Sequence, residues 1–281
     1  MNWRVLILAA ALVAVLCGCA QEVPIGGIPR KVFAPKIVSL SPSTTELTQI
    51  MGVYEGLVGK TANCKAPGSP NAQIVVAGTT PDYEKIVQIK PDYIIFDASI
   101  YSEATIEKIK GLGFKTISFA PTNFENYRDI LVRISSAVGG ETATSEYLDK
   151  VRRAISLAKI GLKDTNKKAA ILIGEPGGYW SLGKDAFTSN ILKEIGAKTL
   201  EIEGNRFVPI SAEKLVEENP DVIFCAGSAV LVLKDPKLAG VTAVKNKKVY
   251  DISADMLLRA GSQVNTLVEK GFVPALKGSN N

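Results

Sequence analysis

ETATSEYLDKVRRAISLAKIGLKDT, residues Glu141 to Thr165, is the stretch that decides the fold. Leu148, Val151, Ile155, Ala158 and Leu162 recur in it at steps of three and four, the apolar stripe of an amphipathic helix. Glu141, Glu146 and Asp149 fall near its start and Lys159 and Lys163 near its end, as the helix dipole favours. Thr142, Thr144 and Ser145 all offer N-caps. With a rise of ~1.5 Å per residue, a helix over 141–165 runs about 30–35 Å, the width of a small domain. An ordinary surface helix reads the same way. The flanking sequence has to decide whether this one bridges two lobes.

Upstream, Lys36 to Leu40 reads as a strand, and Ser43-Thr44-Thr45-Glu46 as a capping box with Ser43 at the N-cap and Glu46 at N3. That helix should end near Met51, at Gly52. Residues 59–81, rich in Gly, Pro, Ser, Asn and Thr, read as loops. A helix over 82–89, a break at Pro91, a strand Tyr93 to Phe96, a helix over 102–111 and a strand Lys115 to Phe119 follow. Beyond the long helix the pattern restarts: strand Ala169 to Gly174, helices over 186–195 and 211–218, strands Val222 to Cys225 and Lys247 to Ile252, and a closing helix over 256–275. Such alternation implies parallel sheets with helices on their faces.

The two halves share a phrase. Glu84, Lys85, Val87, Pro91, Asp92 and Ile94 match Glu213, Lys214, Val216, Pro220, Asp221 and Ile223 at one offset of 129 residues. Generic αβ grammar can produce a helix-Pro-Asp-strand unit, but six coincident identities favour two similarly built lobes. The expected fold is α/β: two αβ lobes with parallel-type sheets bridged by one long helix. The expected division is a leader over 1–18, a tether over 19–35, a first lobe over 36–140, the bridging helix over 141–165 and a second lobe over 166–281.

Composition narrows the chemistry. The net charge is only +5, with the lysines scattered among 28 acidic residues, so no nucleic-acid footprint is present. Histidine is absent, which excludes Ser-His-Asp and Cys-His catalysis and any His-based zinc site. The N-terminus combines Arg4 with an apolar run, Val5 to Leu16, too short to span a bilayer comfortably. It ends in Leu16-Cys17-Gly18-Cys19, which resembles a bacterial lipobox and implies cleavage before Cys19 with lipid on its sulfur. A plain secretory signal or an uncleaved anchor is the alternative. Pro24, Gly26, Gly27, Pro29 and Pro35 mark a flexible tether. Cys64 and Cys225 would fall in different lobes and are expected as unpaired thiols.

Gly178 to Asp185 (GYWSLGKD) approaches a phosphate-binding loop, but Asp185 stands where Ser or Thr should meet magnesium. The plainer reading is a glycine-rich loop on a cleft rim that presents Tyr179 and Trp180. Asp255 and Arg259, four residues apart, make either a surface helix pair or a ligand-facing pair. Glu84 and Glu213 each sit near a helix N-terminus, where the dipole already favours a carboxylate. One per lobe, they would also serve as paired acidic knobs for a basic partner surface.

Val38-Ser39-Leu40-Ser41-Pro42-Ser43-Thr44-Thr45-Glu46, with Glu84-Lys85-Ile86-Val87 and Lys90-Pro91-Asp92, resembles the substrate-binding proteins of vitamin B12 and iron-siderophore ABC importers, closest to the cobalamin-binding branch. The resemblance covers about residues 36–275. It implies two αβ lobes joined by one long helix, a ligand held between them, and docking of one glutamate per lobe, here Glu84 and Glu213, into arginine pockets of a permease. Asp255 to Arg259 matches an Asp-x-x-x-Arg of that branch, and Pro42, Asn63, Trp180 and Phe207 fall at pocket positions. The branch's Tyr-Cys-Asp-Tyr-Pro-like run is here Asn63-Cys64-Lys65-Ala66-Pro67, and Asp97 stands where an aromatic is common. An apolar face for a macrocycle is thinner for it.

The resulting expectation is a monomeric, lipid-anchored, extracytoplasmic binding component of an ABC importer that catalyses no reaction and has no resident metal or cofactor. Its ligand would be a metal chelate, foremost a cobalt corrinoid, held by Pro42, Asn63, Tyr179, Trp180, Phe207, Asp255 and Arg259. Its partner would be a permease dimer with ATPase subunits. Closure on the ligand should be small because the long helix restricts hinging. A ferric siderophore remains open, as does haem with Tyr179 or Tyr101 as axial ligand. An exported carboxylate hydrolase would instead need two facing acids in the cleft, and a purely structural lipoprotein would show no cleft.

Overall fold

Six strands build the first lobe: β1 (Ile37–Ser39), β2 (Leu57–Thr61), β3 (Gln73–Ala77), β4 (Thr80–Pro81), β5 (Tyr93–Asp97) and β6 (Lys115–Phe119). The structure is a computed structural model and describes residues 34–65, 71–163 and 165–278. The leader, Cys19 and all but the end of the tether lie outside the described residues. The sheet order is β4-β3-β2-β1-β5-β6, parallel except for the β3–β4 pair. Two of these strands, β3 and β4, and the end of β2 occupy the stretch 59–81 expected as loops. Its turn residues hid a short β-branched run, of which Val75 and Val76 are buried.

Four helices flank this sheet: α1 (Pro42–Ile50), α2 (Tyr83–Ile89), α3 (Glu103–Gly111) and α4 (Phe124–Val138). The cap of α1 is Ser41, not Ser43: its side chain accepts from the Thr44 N–H at 3.3 Å, with Pro42 at the first helical position. The capping box is therefore not formed, and Glu46 is free to act elsewhere. Helix α4 has Phe124, Tyr127, Leu131, Ile134 and Val138 buried at helical spacing, yet it was not anticipated from the sequence.

The long helix α5 (Glu141–Gly161) has 21 residues and stops four residues short of the expected end. Leu148, Val151, Ile155 and Ala158 are buried as the stripe requires. Its N-cap is Gly140, not any of Thr142, Thr144 or Ser145, and no side chain caps it. Gly140 has φ +92, and a Cβ there would collide with the Met51 carbonyl oxygen, so only glycine fits between α1 and α5.

The second lobe holds β7 (Lys168–Glu175), β8 (Gly178–Leu182), β9 (Lys198–Thr199), β10 (Phe207–Ile210), β11 (Val222–Cys225) and β12 (Val249–Asp251). Its sheet runs β10-β8-β7-β11-β12, with β9 also on β7. The pairs β7–β11 and β11–β12 are parallel, but β8 is antiparallel to both β7 and β10. The glycine-rich stretch expected as a rim loop is thus strand β8. Helices α6 (Phe187–Glu194), α7 (Ala212–Glu218), α8 (Ala229–Lys234), α9 (Thr242–Lys245) and α10 (Ala254–Leu257) complete the lobe. The single closing helix expected over 256–275 is broken. After α10 the chain is irregular until Val264, and the last run to Lys277 widens into a π turn over Leu267–Phe272.

The repeated phrase has a structural cause. Asp82 caps α2 and Ser211 caps α7, accepting from the N–H groups of Lys85 (3.0 Å) and Lys214 (3.1 Å). Each helix ends in a left-handed residue, Lys90 at φ 51 and Asn219 at φ 44. The following Asp then accepts from the N–H at the start of its lobe's central strand: Asp92 from Lys36 and Asp221 from Lys168, both 2.8 Å. The unit therefore fixes the central strand in each sheet.

One apolar core runs through both lobes. It joins Ile37, Phe119 and Tyr127 on one side to Phe187, Phe224 and Phe272 on the other, through Val151 and Ile155 of α5. Two smaller clusters cover the remaining faces, one around Val38, Ile86 and Phe96 and one around Leu172, Leu215 and Ile223. Cys64 and Cys225 are unpaired, as expected, and burial pushes the Cys225 thiol up to about 12.

Candidate ligand cleft

The segment SLSPSTTE forms a hydroxyl network that fixes the start of α1 against β1 and β5. Ser41 Oγ and Ser39 Oγ each lie 2.7 Å from Thr44 Oγ1, and Thr45 Oγ1 donates to Ser39 Oγ at 2.8 Å. Ser43 Oγ donates to Asp97 at 3.0 Å, which anchors the end of β5. Beyond β5 and β6 a cavity of about 250 Å³ opens between the lobes. The first lobe contributes Asp97, Ser99, Ile100, Pro121 and Thr122. The second contributes Leu182, Asp185, Phe187, Arg206, Phe207 and Leu258. Four of those six are large and apolar: Leu182 from β8, Phe207 from the neighbouring edge strand β10, Phe187 from the start of α6, and Leu258 just after α10.

A second set of contacts ties the lobes at the base. Glu46, 7% exposed, accepts at Oε2 from the Ser262 N–H (2.9 Å) and the Ser262 hydroxyl (3.0 Å). Its Oε1 lies 3.5 Å from Arg259, which also pairs with Asp255 at 2.8 Å. The hydroxyls of Tyr127 and Tyr147 reach the Gly261 carbonyl oxygen at 2.8 and 3.1 Å, and Asn190 donates to Thr122 O at 2.8 Å. The sequence presented Glu46 only as a helix cap and as part of the family-like phrase, neither of which points to Ser262 or Arg259.

The residues expected to hold ligand are dispersed. Phe207 lines the cavity; Pro42, Asn63, Tyr179, Trp180, Asp255 and Arg259 do not. Pro42 starts α1, and Asn63 is exposed in the loop after β2. Tyr179 and Trp180 point to opposite faces of β8, as neighbours in a strand must. Tyr179 packs on the outer cluster and donates to Asp235 at 2.6 Å. Trp180, 38% exposed, shares the face of the cavity-lining Leu182 and lies opposite Pro209. Asp255 and Arg259 flank Leu258 at the base, with Lys65 of the first lobe 3.7 Å from Asp255. Tyr179→Phe should therefore leave ligand affinity unchanged, whereas Trp180→Ala should weaken it about tenfold, the order expected for one aromatic contact with an apolar ligand face. Parallel titrations of the two variants check this.

Two carboxylates not placed among the site residues, Asp97 and Asp185, line the cavity from opposite lobes. Burial pushes the Asp97 carboxyl up, opposed by hydrogen bonds from Ser99 and Ser43. Tyr101 is buried, with its hydroxyl on the Leu40 carbonyl, and does not line the cavity. Glu84 and Glu213 are exposed in the first turns of α2 and α7, away from it. Each has an exposed valine three residues on, Val87 at 46% and Val216 at 42%. Ser211 and the local backbone hold the Glu213 carboxyl below its usual range. Among the described residues, no group of three or more His, Cys, Asp or Glu side chains is placed to hold a metal ion. Among them, too, no helix is long and apolar enough to cross a membrane.

Two αβ lobes tied by a long helix, with a cavity between their facing ends, define a two-lobed ligand-binding protein. The chain belongs to the periplasmic binding protein family, whose model matches residues 37–256. It is 29% identical over 260 residues to the uncharacterized ABC transporter substrate-binding lipoprotein YvrC of Bacillus subtilis, covering 89% of this chain and 81% of the relative. The solved structure of the vitamin B12-binding protein BtuF of Vibrio cholerae superposes with a TM-score of 0.75 at 21% identity, covering 87% of this chain and 97% of that one. The heme-binding protein RhuT of Roseiflexus sp. RS-1 does so at 0.70 and 18%, covering 87% and 98%. The protein is thus an extracytoplasmic binding protein of ABC-importer type, a class that takes up small-molecule ligands and delivers them to a permease.

Proposed function

We propose that this protein is the binding component of a corrinoid importer: it captures a cobalamin-like chelate between its lobes and hands it to a permease dimer. The lining of the cleft carries this reading. The chain has no histidine, and among the described residues no Tyr, Cys or Met side chain lines the cavity, so the anionic groups a haem iron placed there would meet are the carboxylates of Asp97 and Asp185. The tyrosines considered for haem, Tyr101 and Tyr179, are engaged with Leu40 and Asp235. A ferric siderophore would find one cation in the lining, Arg206. A corrinoid brings its cobalt already ligated and asks for apolar contact and hydrogen bonds, which Phe187, Phe207, Leu258, Asp97 and Thr122 supply.

A corrin is larger than a cavity of about 250 Å³, so part of its edge stands outside between the rims, where Trp180 is presented. Lipid on Cys19 would hold the body at the membrane, and Glu84 and Glu213 would dock it on the permease. The test is calorimetric titration of the body from residue 20 onward, without lipid, against cyanocobalamin and then cobinamide. Tight one-to-one binding is the expected result. Binding of haem or a ferric siderophore with neither corrinoid bound would overturn the reading.

A further inference from the structure

The Asp97 carboxylate is a charged group in the cleft wall that the contacts between the lobes leave unused. It ends β5, is half-buried, and lines the cavity from the first lobe. A carboxylate has about four acceptor positions. Three are filled from within the chain: Oδ1 accepts from the Ser99 N–H (3.0 Å) and the Ser99 hydroxyl (2.6 Å), and Oδ2 from Ser43 (3.0 Å). Oδ2 keeps one position open. Burial raises the carboxyl, serine hydrogen bonds lower it, and no cation is among the groups acting on it. A partly desolvated anion without a counter-charge is costly unless a ligand compensates it.

The rest of the lining points the same way. Ile100 and Pro121 flank Asp97 on its own lobe, and Asp185 brings a second carboxylate from the other. Among the described residues the lining holds one cation, Arg206, and it is exposed. A ligand group beside Asp97 gains by donating a hydrogen bond and loses by carrying negative charge.

We propose that Asp97 is the specificity-determining residue of the cleft: its carboxylate accepts from an amide or ammonium N–H of the chelate and turns away a carboxylate, so the ligand taken up carries amide-type donors rather than acidic side chains. The inference rests on the corrinoid reading of the same cleft and sharpens it, because corrinoids differ from haem in bearing amides where haem bears propionates.

The experiment compares ligands that share a metal centre type and differ in side-chain charge. The full chain, purified in detergent, and its Asp97→Asn and Asp97→Leu variants are titrated with dicyanocobinamide, whose side chains are amides, and with dicyanocobyrinic acid, whose side chains are carboxylates. Ferrioxamine B, with a pendant ammonium, ferric citrate, with pendant carboxylates, and hemin complete the panel. Circular dichroism melts establish that the variants fold, and Asn keeps an oxygen for Ser99. The unmodified protein should prefer cobinamide at least tenfold, the order of one hydrogen bond to a charged acceptor, and both variants should lose most of that preference.

Equal binding of the two corrinoids, or a preference unchanged in both variants, would overturn the role of Asp97 alone. A preference for ferrioxamine B over ferric citrate that depends on Asp97, with neither corrinoid bound, would overturn the corrinoid reading and uphold Asp97. Tight binding of hemin unaffected by the substitutions would overturn both.

Discussion

Replacing Glu84 and Glu213 together with Ala should leave ligand affinity unchanged within about threefold and abolish stimulation of the partner transporter's ATPase in proteoliposomes. Neither residue lines the cleft, and each stands exposed on the first turn of its helix. The lysines next to them in sequence are turned to other partners, and Lys237 is the last and smallest influence on Glu213. Lys85 donates to the Ile74 carbonyl at 3.0 Å, and Lys214 pairs with Glu217 at 3.0 Å and Glu218 at 3.2 Å. Both carboxylates are therefore available to a basic surface, at equivalent points of two similarly built lobes. Truncating one member of a desolvated charge pair at an interface costs about 2–5 kcal/mol, so two losses weaken docking about a thousandfold or more. Each single variant should fall between. Normal stimulation by the double variant would sink the docking assignment.

Glu46→Ala should be the most destabilising of the substitutions considered, at about 3–5 kcal/mol. It leaves the Ser262 N–H and hydroxyl without their acceptor at the base of the cleft and removes one partner of Arg259. For a body of this size that lowers Tm by roughly 10 °C or more. Gly261→Ala should behave similarly for a different reason. Gly261 is not among the glycines with positive φ, but a Cβ there would collide with the Glu46 carboxylate. The two substitutions should not add. With the carboxylate gone the methyl group has room, so the double variant should melt close to Glu46→Ala alone. Calorimetric melts of the four proteins check this, and additive losses would show that the two residues do not meet in solution.

The long helix, the repeat and most parallel strands were legible because each is written locally, in a stripe at helical spacing or a short β-branched run between turns. The exceptions share a cause. Gln73–Ala77 was hidden by its turn-rich flanks, and β8 by glycines that suggested a loop. The break after Leu257 was hidden because Gly261 and Ser262 answer to Glu46, 216 residues away from Ser262 in the chain. The candidate site was less legible than the fold. Of the expected residues Phe207 lines the cavity, Tyr179 faces the other side of β8 and bonds Asp235, and Asp97 entered as a missing aromatic. A cleft is assembled from the ends of distant elements, and sequence spacing carries no information on which ends converge.

The core shared by the two lobes has a consequence in time. Parting the lobes fully would uncover Tyr127, Phe187 and their neighbours around α4 and α5, and apolar surface costs ~25 cal/mol per Å² to expose. Such full openings should be rare and brief, so a ligand held by both lobes is expected to escape slowly. Slow escape would amount to tight holding, since affinity differences between related complexes reside mostly in the dissociation rate. Unloading would then need force from outside, and a grip on each half would supply it.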